Sequence, residues 1–423
     1  MKILYKTSLI IILKRLLISL GILFFIRLGN YLPVPGINHI DLAIYIQTNQ
    51  VAQNLISTFT DEENLVIGLF TLNIFPYINA SIIVQFIVAF SPTLSQLQKE
   101  GDLNARRSIN RLTKSITLVW AIIQSLGLGL YLKQILFNWN FSLLCEIILW
   151  LTTGAMIVLW LSDLITDYGL GNGPSLLIYV NILSSFPNFY KSILTQTSDT
   201  FPIFLYFVIL FLVILSLFGV VLLQDGFRII PLISSKQLNS NYQNRNSRFS
   251  NSYIPLKLNQ AGVMPIILTT TILVIPKYIN KLEIFPKYNI VNLGFFSGII
   301  YWVSYFLLIM AFSLFYSSIV LNPKDIAQQL QKMAVTIPGV RPGIQTAFYL
   351  KQIMKRLILI GSFCLAILTT LPNLIQVTLG ISIVSGLSTT SLLIIAGVLV
   401  DITKEIDDII YSNIYTKIQS NYK

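Results

Sequence analysis

Few side chains in this chain of 423 residues have the types and the spacing that chemistry requires. The two cysteines, Cys145 and Cys364, lie in or beside separate apolar stretches, and neither has a CxxC partner. His39 is the single histidine and lies in a polar stretch. Because a zinc site is built from several closely spaced Cys and His ligands, the sequence predicts no metal site and no cofactor.

Ionisable residues are nearly absent from the long apolar stretches. Arg27 and Glu146 lie towards the outer ends of the stretches 16–32 and 143–161, and Asp163 and Asp167 lie at the inner end of the second of these. A coupled pump or carrier usually needs carboxylates or histidines at the middle depth of the membrane. The hydrolase motifs GxSxG and HExxH do not occur in the sequence. These observations disfavour both an enzyme and an ion-coupled transporter.

Isoleucines with helical spacing are the remaining candidates. Ile74 and Ile78 flank Pro76, and Ile178 and Ile182 repeat the same spacing of four later in the chain. This spacing puts each pair on one face of a helix. Ordinary packing would explain such pairs. In a water-filled path, the same side chains would instead form an apolar constriction that closes by dewetting.

The elements that carry these residues are predicted to be membrane spans. Hydrophobic residues make up 54% of the chain and charged residues 11%, whereas a soluble domain usually carries about 25% charged residues. A helix needs about 20 apolar residues to cross the hydrocarbon core. The sequence therefore predicts ten spans: the clear ones 16–32, 116–132, 143–161, 201–223, 293–321 and 357–375, and the weaker, more polar ones 76–90, 175–187, 262–275 and 383–400.

The distribution of positive charge predicts the orientation. Most of the 29 Lys and Arg residues lie in the two terminal segments and in the loops 92–115, 224–260 and 321–356. The positive-inside rule places these segments on the cytoplasmic side of the membrane. The first outer loop, before residue 74, carries no Lys or Arg and includes Asp61, Glu62 and Glu63.

The predicted spans divide evenly about residue 200, which gives the halves 1–200 and 201–423. An odd number of spans in each half inverts the second half relative to the first. Pro76 and Pro265 lie in the short second span of their respective halves. Paired interrupted segments at matching positions indicate a functional path between the halves.

The two large inner loops, 224–260 and 321–356, are basic and include Arg245, Arg248, Lys332, Arg341 and Lys351. Such charges set the topology of many membrane proteins or bind anionic lipid. They also suit the docking of ribosomal RNA or of a motor protein. The PGVRPG stretch, 338–343, has the turn residues of a loop with a defined conformation.

Five stretches resemble the SecY family, the central subunits of the Sec protein translocase. They are PVPGI, FPYINASII, ITDYGLGNG, PLKLNQAGV and PGVRPG, at 33–37, 75–83, 165–173, 255–263 and 338–343. The resemblance implies an all-α integral membrane protein with ten transmembrane helices in two inverted, pseudo-symmetric five-helix halves. The function it implies is a protein-conducting channel, which passes unfolded preproteins across the membrane and releases transmembrane segments sideways into lipid.

The resemblance also implies roles for particular residues. The apolar ring that closes the channel would consist of Ile74, Ile78, Ile178, Ile182, Ile267 and Ile394. A plug would come from about 44–69 in the first outer loop. The lateral gate between spans 2 and 7 would be lined by Asn79, Gln85, Thr269, Thr270 and Thr271. A motor or a ribosome would dock on Arg245, Arg248, Lys332, Arg341 and Lys351.

Two positions depart from the family pattern. Asn73 stands where the family commonly has glycine before the first ring isoleucine, and the plug end is acidic rather than glycine-rich. We expect these changes to alter how the plug hinges.

The implied partners are a SecE-like subunit, a SecA-type motor ATPase, the ribosome with signal recognition components, preproteins and membrane lipids. A SecG-like subunit is left open. The chain is rich in Ile, Asn, Lys, Tyr and Leu, which is typical of AT-rich genomes. This composition favours a plastid-encoded member in the thylakoid membrane, with the bacterial inner membrane as the alternative. The competing functions are an inverted-repeat secondary transporter and a membrane scaffold without a pore.

Overall fold

The structure is a computed structural model that describes most of the chain. Helices dominate the described part, as the composition predicts, and short strands occur between residues 227 and 336. The described residues are 2–35, 67–91, 94, 103–132, 140–184, 203–234, 253–260, 262–269, 294–320, 322–379 and 389–421.

Helices of very different length follow one another along the chain. They are α1 (Lys2–Asn30), α2 (Phe75–Phe90), α3 (Leu103–Leu132), α4 (Phe141–Tyr168), α5 (Gly173–Ser184), α6 (Ile203–Asp225), α7 (Gly294–Val320), α8 (Pro323–Lys332), α9 (Ile344–Leu379) and α10 (Thr389–Asn421). The strands are β1 (Phe227–Pro231), β2 (Ile233–Ser234), β3 (Tyr253–Lys257) and β4 (Val335–Thr336). A short helical stretch covers residues 264–269.

The predicted spans coincide with these helices wherever the structure describes them. Among the described residues, α1, α3, α4 and α9 and the stretch that starts in α7 are long and apolar enough to cross a membrane. The apolar parts of α2 and α5 are shorter, whereas α6 has 23 residues and is apolar along almost all of its length. Only the first part of the predicted span 262–275 is described. The chain is therefore a multi-pass, mainly helical membrane protein.

The chain forms two compact units. Unit 1 contains Met1–Gln196 together with Asp401–Lys423, and unit 2 contains Thr197–Val400. The boundary near residue 197 lies close to the one predicted at 200. The last residues belong to unit 1, whereas the sequence analysis assigned all of 201–423 to the second half. The predicted inverted symmetry of the halves stays a prediction.

Helix α4 is the central helix of unit 1. Its buried residues recur every three or four positions, through Ile147, Leu151, Val158 and Ile165, and all four are fully shielded from solvent. This period gives one buried face along a helix. Helices α1, α3 and α5 pack against α4, and α2 packs against α3. Unit 1 is thus a helical cluster built on the buried face of α4.

Unit 2 has a core of aliphatic side chains between α6, α7, α9 and α10. Ile309 and Leu365 are completely buried in this core, and Ile266, Tyr305 and Leu393 are nearly so. Trp302 and Tyr305 meet edge to face, with ring centroids 5.9 Å apart. The outward side of α6 is apolar and exposed, as expected for a helix whose solvent is lipid.

The described parts of the two large basic loops fold together into one small structure, which we call the loop subdomain. It consists of β1–β4, α8 and the first turns of α9. Strand β1 pairs antiparallel with β3, and β2 pairs antiparallel with β4. Its core includes Ile230, Leu256, Leu330, Leu350 and Met354. The sequence analysis predicted a defined loop here, but it did not predict the strands or α8.

Candidate functional site

The first pair of candidate ring residues lies where α2 begins. Ile74 is the N-cap residue of α2, and its carbonyl accepts a hydrogen bond from the Ile78 amide at 3.1 Å. Pro76 stands in the first turn, where its missing N–H and fixed φ suit a helix start. Ile74 and Ile78 are 2% and 5% exposed. Pro76 therefore starts this helix and does not kink it.

The second pair lies on α5, one helical turn apart. Ile178 and Ile182 are both partly buried. Helix α5 begins at Gly173, whose amide donates to Thr166 Oγ1 of α4 at 2.9 Å. A Cβ atom on Gly173 would lie 2.0 Å from the Ser162 carbonyl oxygen. This close backbone approach fixes the start of α5 on α4.

A buried segment, 67–74, supports Ile74 from the preceding side. The Val34 amide donates to Ile67 O at 3.1 Å, and the Leu69 amide donates to Leu32 O at 2.8 Å. A Cβ atom on Gly154 of α4 would lie 2.0 Å from the Leu69 carbonyl oxygen. The predicted plug, about 44–69, lies outside the described residues except for its last three. Those three are bound to the end of α1 and to α4.

Asn73 has a backbone conformation that explains the departure from the family pattern. Its φ is +46°, in the left-handed region, and the residue is 5% exposed. Glycine adopts this region freely, and asparagine tolerates it better than most other residues. Asparagine therefore retains the turn into α2 in the absence of glycine.

We expect Asn73→Ala to destabilise the protein by about 1 kcal/mol, because a Cβ-bearing residue without a short polar side chain pays the full left-handed penalty. Asn73→Gly should leave stability within about 0.5 kcal/mol of the parent. Thermal unfolding of the purified protein in detergent measures both variants. Equal melting temperatures for the alanine and glycine variants would contradict the strain argument.

The remaining two candidate ring residues lie in unit 2. Ile267 is partly buried in the stretch 264–269, and its amide donates to Val263 O at 3.3 Å. Ile394 is partly buried on α10 beside Leu393, which lies in the core of unit 2. The structure thus places four ring candidates in unit 1 and two in unit 2. The ring of six stays a prediction.

The predicted lateral-gate residues differ in what their polar groups do. Asn79 and Gln85 are partly buried on α2. Thr269 is fully buried, and its hydroxyl donates to Pro265 O of its own helical turn at 2.8 Å. Such back-bonding occupies the hydroxyl within its own helix. Thr270 and Thr271 lie outside the described residues.

An open apolar surface depression that the sequence analysis missed lies on the same helix, α2. It is lined by Ile83, Phe86, Ile87 and Phe90, with Ser91 at its end. Large apolar residues are ordinary in a membrane span, so no sequence signal distinguishes these from lipid-facing ones.

Three of the predicted docking residues lie on the loop subdomain and are exposed. Arg341 stands in the turn between β4 and α9, and its carbonyl accepts a hydrogen bond from Thr346 Oγ1 at 2.8 Å. Lys332 ends α8, and Lys351 lies on α9. Gly343 closes the turn with a φ of +101°, which favours glycine. Arg245 and Arg248 lie outside the described residues.

Exposed apolar side chains accompany these cations, and the sequence analysis did not identify them. Ile344 is 90% exposed, Phe348 71% and Met333 69%. An isolated exposed apolar residue is ordinary, but several beside a basic turn are typical of an interaction surface.

Known proteins resemble this chain over most of its length. A family model described as SecY matches residues 68–403. The protein translocase subunit SecY of Trieres chinensis is 56% identical over 411 residues, which are 96% of this chain and 97% of that protein. The SecY subunit of Guillardia theta is 39% identical and covers 96% of each chain.

Solved structures share the fold at low sequence identity. One comes from work on the plug domain of SecY and the closed state of the translocation channel. It aligns with a TM-score of 0.65 at 16% identity, over 95% of this chain and 93% of that one. Sec61 in a canine ribosome–channel complex from the endoplasmic reticulum aligns with a TM-score of 0.61 at 16% identity, with the same coverage.

Proposed function

This chain belongs to the SecY family and is a subunit of a protein-conducting channel in a membrane, and from that premise we propose how its residues operate the channel. Membership of the SecY family favours a channel. It disfavours the two alternatives, a secondary transporter and a scaffold without a pore. The chain acts by forming a path, and it performs no catalysis of its own.

The constriction of the path consists of the isoleucine pairs on α2 and α5, completed by Ile267 and Ile394. Aliphatic side chains around a narrow neck exclude water, so the resting channel leaks few ions. The observation that carries this proposal is the anchoring of both pairs. Ile74 and Ile78 follow the buried segment 67–74, and α5 starts from a backbone contact with α4. A constriction needs such rigid supports, because a constriction that widens slightly would fill with water.

Segments of the passing chain leave sideways when their transfer to lipid is favourable. A central Leu or Ile favours transfer by about 0.3–0.6 kcal/mol, and a central charge opposes it by about 3 kcal/mol. We place this exit at α2 and the stretch from residue 264, where Asn79, Gln85 and the Thr269–271 run lie. The open apolar surface depression on α2 would contact an apolar signal sequence.

The energy for translocation comes from a partner, which is a SecA-type motor ATPase or a translating ribosome. The partner docks on the loop subdomain through Lys332, Arg341 and Lys351, together with Arg245 and Arg248. The exposed cations and the neighbouring Ile344 suit an anionic partner surface with apolar spots. A SecE-like subunit would clasp the helices. Whether a SecG-like subunit joins the complex stays open.

The membrane is the plastid thylakoid membrane, with both termini on the stromal side. The AT-driven composition supports this location. So do the relatives in Trieres chinensis, Guillardia theta and Porphyra purpurea, and the relative in the cyanobacterium Synechocystis. The positive charges of the loops support the orientation.

Site-specific crosslinking tests the proposed function. Photoreactive residues replace Ile78, Ile182 or Ile267, and an arrested secretory chain engages the reconstituted complex. We expect all three positions to crosslink to the chain. A photoreactive residue at Ile123, an exposed position on α3, is the matched control and should not crosslink to the secretory chain. A membrane-engaged chain that crosslinks at none of the three would show that the path lies elsewhere.

We expect Arg341→Glu to reduce partner-driven translocation by on the order of tenfold, because charge reversal replaces an attraction with a repulsion at the docking surface. Ion conductance of the resting channel should not change. Lys324→Glu is the control, since Lys324 is an exposed cation of the same subdomain outside the docking set. Equal loss in both variants would indicate a general charge effect and contradict a specific role for Arg341.

A further inference from the structure

The glycine-rich turn before α5 is held by a side chain from the other end of the chain. Gly171 has a φ of +89°. Its amide donates a hydrogen bond of 2.5 Å to Glu405 Oε2, on α10. The two residues are 234 positions apart, and both belong to unit 1. Gly171 precedes the first residue of α5, so its N–H has no acceptor within that helix.

Other contacts place the Glu405 carboxylate and pack its helix. Arg15 Nη1 of α1 lies 3.7 Å from Glu405 Oε1. Ile402, one turn earlier on α10, lies beside Gly171. A Cβ atom on Gly171 would be 3.4 Å from Ile402 Cγ1. Hydrogen bonds to an ionised acceptor are roughly twice as strong as neutral ones. The side chains of Glu405 and Arg15 are 34% and 40% exposed, so solvent weakens the ion pair more than the hydrogen bond.

The turn is therefore held by hydrogen bonds to two different helices. Thr166 of α4 accepts from the Gly173 amide on one side, and Glu405 of α10 accepts from the Gly171 amide on the other. Helix α5 follows directly and carries Ile178 and Ile182. Any rotation or shift of the turn moves both isoleucines, because a short helix transmits the displacement of its first residues along its length.

We propose that Glu405 is a positioning residue for the channel constriction: its carboxylate holds the Gly171 turn and thereby sets where α5 presents Ile178 and Ile182. This inference rests on the proposed function, in which those isoleucines belong to the ring. Glu405 is not one of the proposed ring residues and would act on the ring through the Gly171 turn.

Hydrogen exchange of the full chain in its reconstituted complex tests the contact. Glu405→Ala should speed exchange of the Gly171 amide by about tenfold or more, because that amide loses a charged acceptor. Glu405→Gln should stay near the parent, since the carboxamide oxygen can still accept from Gly171. Asp407→Ala removes an exposed acid of the same helix and is the control. Unchanged exchange in Glu405→Ala would overturn the proposal.

Ion conductance of the same vesicles tests the consequence for the ring. Glu405→Ala should raise the resting leak several-fold, Glu405→Gln should restore the seal, and Asp407→Ala should match the parent. Ile182→Ser, measured alongside, reports on the ring itself. If Ile182→Ser leaks and Glu405→Ala does not, the positioning role is wrong and the ring stands. If Ile182→Ser does not leak, the assignment of the ring is wrong, and the positioning role falls with it.

Discussion

The double variant Ile78→Ser/Ile182→Ser is expected to leave the protein assembled and to raise the ion conductance of the resting channel by on the order of tenfold or more. Each substitution removes an aliphatic side chain from the proposed constriction and puts a hydroxyl in its place. Both changes let water occupy the constriction, and ions follow water. Electrical recording or dye release from vesicles containing the complex measures the leak.

The control for this variant is a serine at a buried isoleucine outside the ring. Ile147, in the centre of α4, is completely shielded from solvent. Ile147→Ser should cost stability of about 2–5 kcal/mol, as large-to-small core changes do, without opening a path. Protease resistance shows which variants are folded. A leak of the same size from a folded Ile147→Ser protein would mean that loosening anywhere opens the channel, which contradicts a defined ring.

Gly154→Ala is the second variant with a large expected effect, and it should destabilise the protein by about 2 kcal/mol or more. The new Cβ atom would meet the Leu69 carbonyl oxygen at 2.0 Å, and that oxygen belongs to backbone that cannot turn aside. Overpacking against fixed backbone at this distance should cost about 3 kcal/mol or more, at or above the top of the usual range, against a gain of about 1 kcal/mol from helix propensity. The melting temperature in detergent measures the difference.

Gly127→Ala on α3 isolates the steric part of this effect. A Cβ atom on Gly127 meets nothing within 4 Å, so this variant should be neutral or stabilised by up to about 1 kcal/mol. Gly154→Ala would displace segment 67–74, which carries Ile74. The resting channel of this variant should therefore also leak ions. A Gly154 variant as stable as the Gly127 variant would show that segment 67–74 can move away without cost.

The apolar spans could be predicted from the sequence because lipid demands a long run of apolar residues. The predicted span 293–321 and the observed α7 differ by one residue at each end. Helices α3 and α9 begin well before their predicted spans, at Leu103 and Ile344. Hydropathy detects only the part of a helix that lies in lipid, and these helices continue into polar sequence. The short strands were missed because five residues with mixed polarity give no period.

The supports of the candidate site could not be predicted in the same way. The motif around Gly171 was visible, but its acceptor, Glu405, is distant in sequence and resembles any charge in a polar tail. Asn73 was noticed as a departure, yet its φ depends on how segment 67–74 packs. Gly154 is one small residue among many in an apolar helix. Each depends on a contact between distant segments, which a single sequence does not record.

The loop subdomain has a consequence for the order of events during biosynthesis. Ile233 in β2 pairs with Thr336 in β4, which is 103 residues further along the chain. The core of the subdomain also requires residues up to Leu357. Because a ribosome makes the chain from its N-terminus, strand β2 waits for β4, and the apolar side chains of β1 and β3 wait for those of α8 and α9, until most of the protein has been translated. A half-made chain thus has no finished loop subdomain, and the docking face proposed on it forms only late in synthesis.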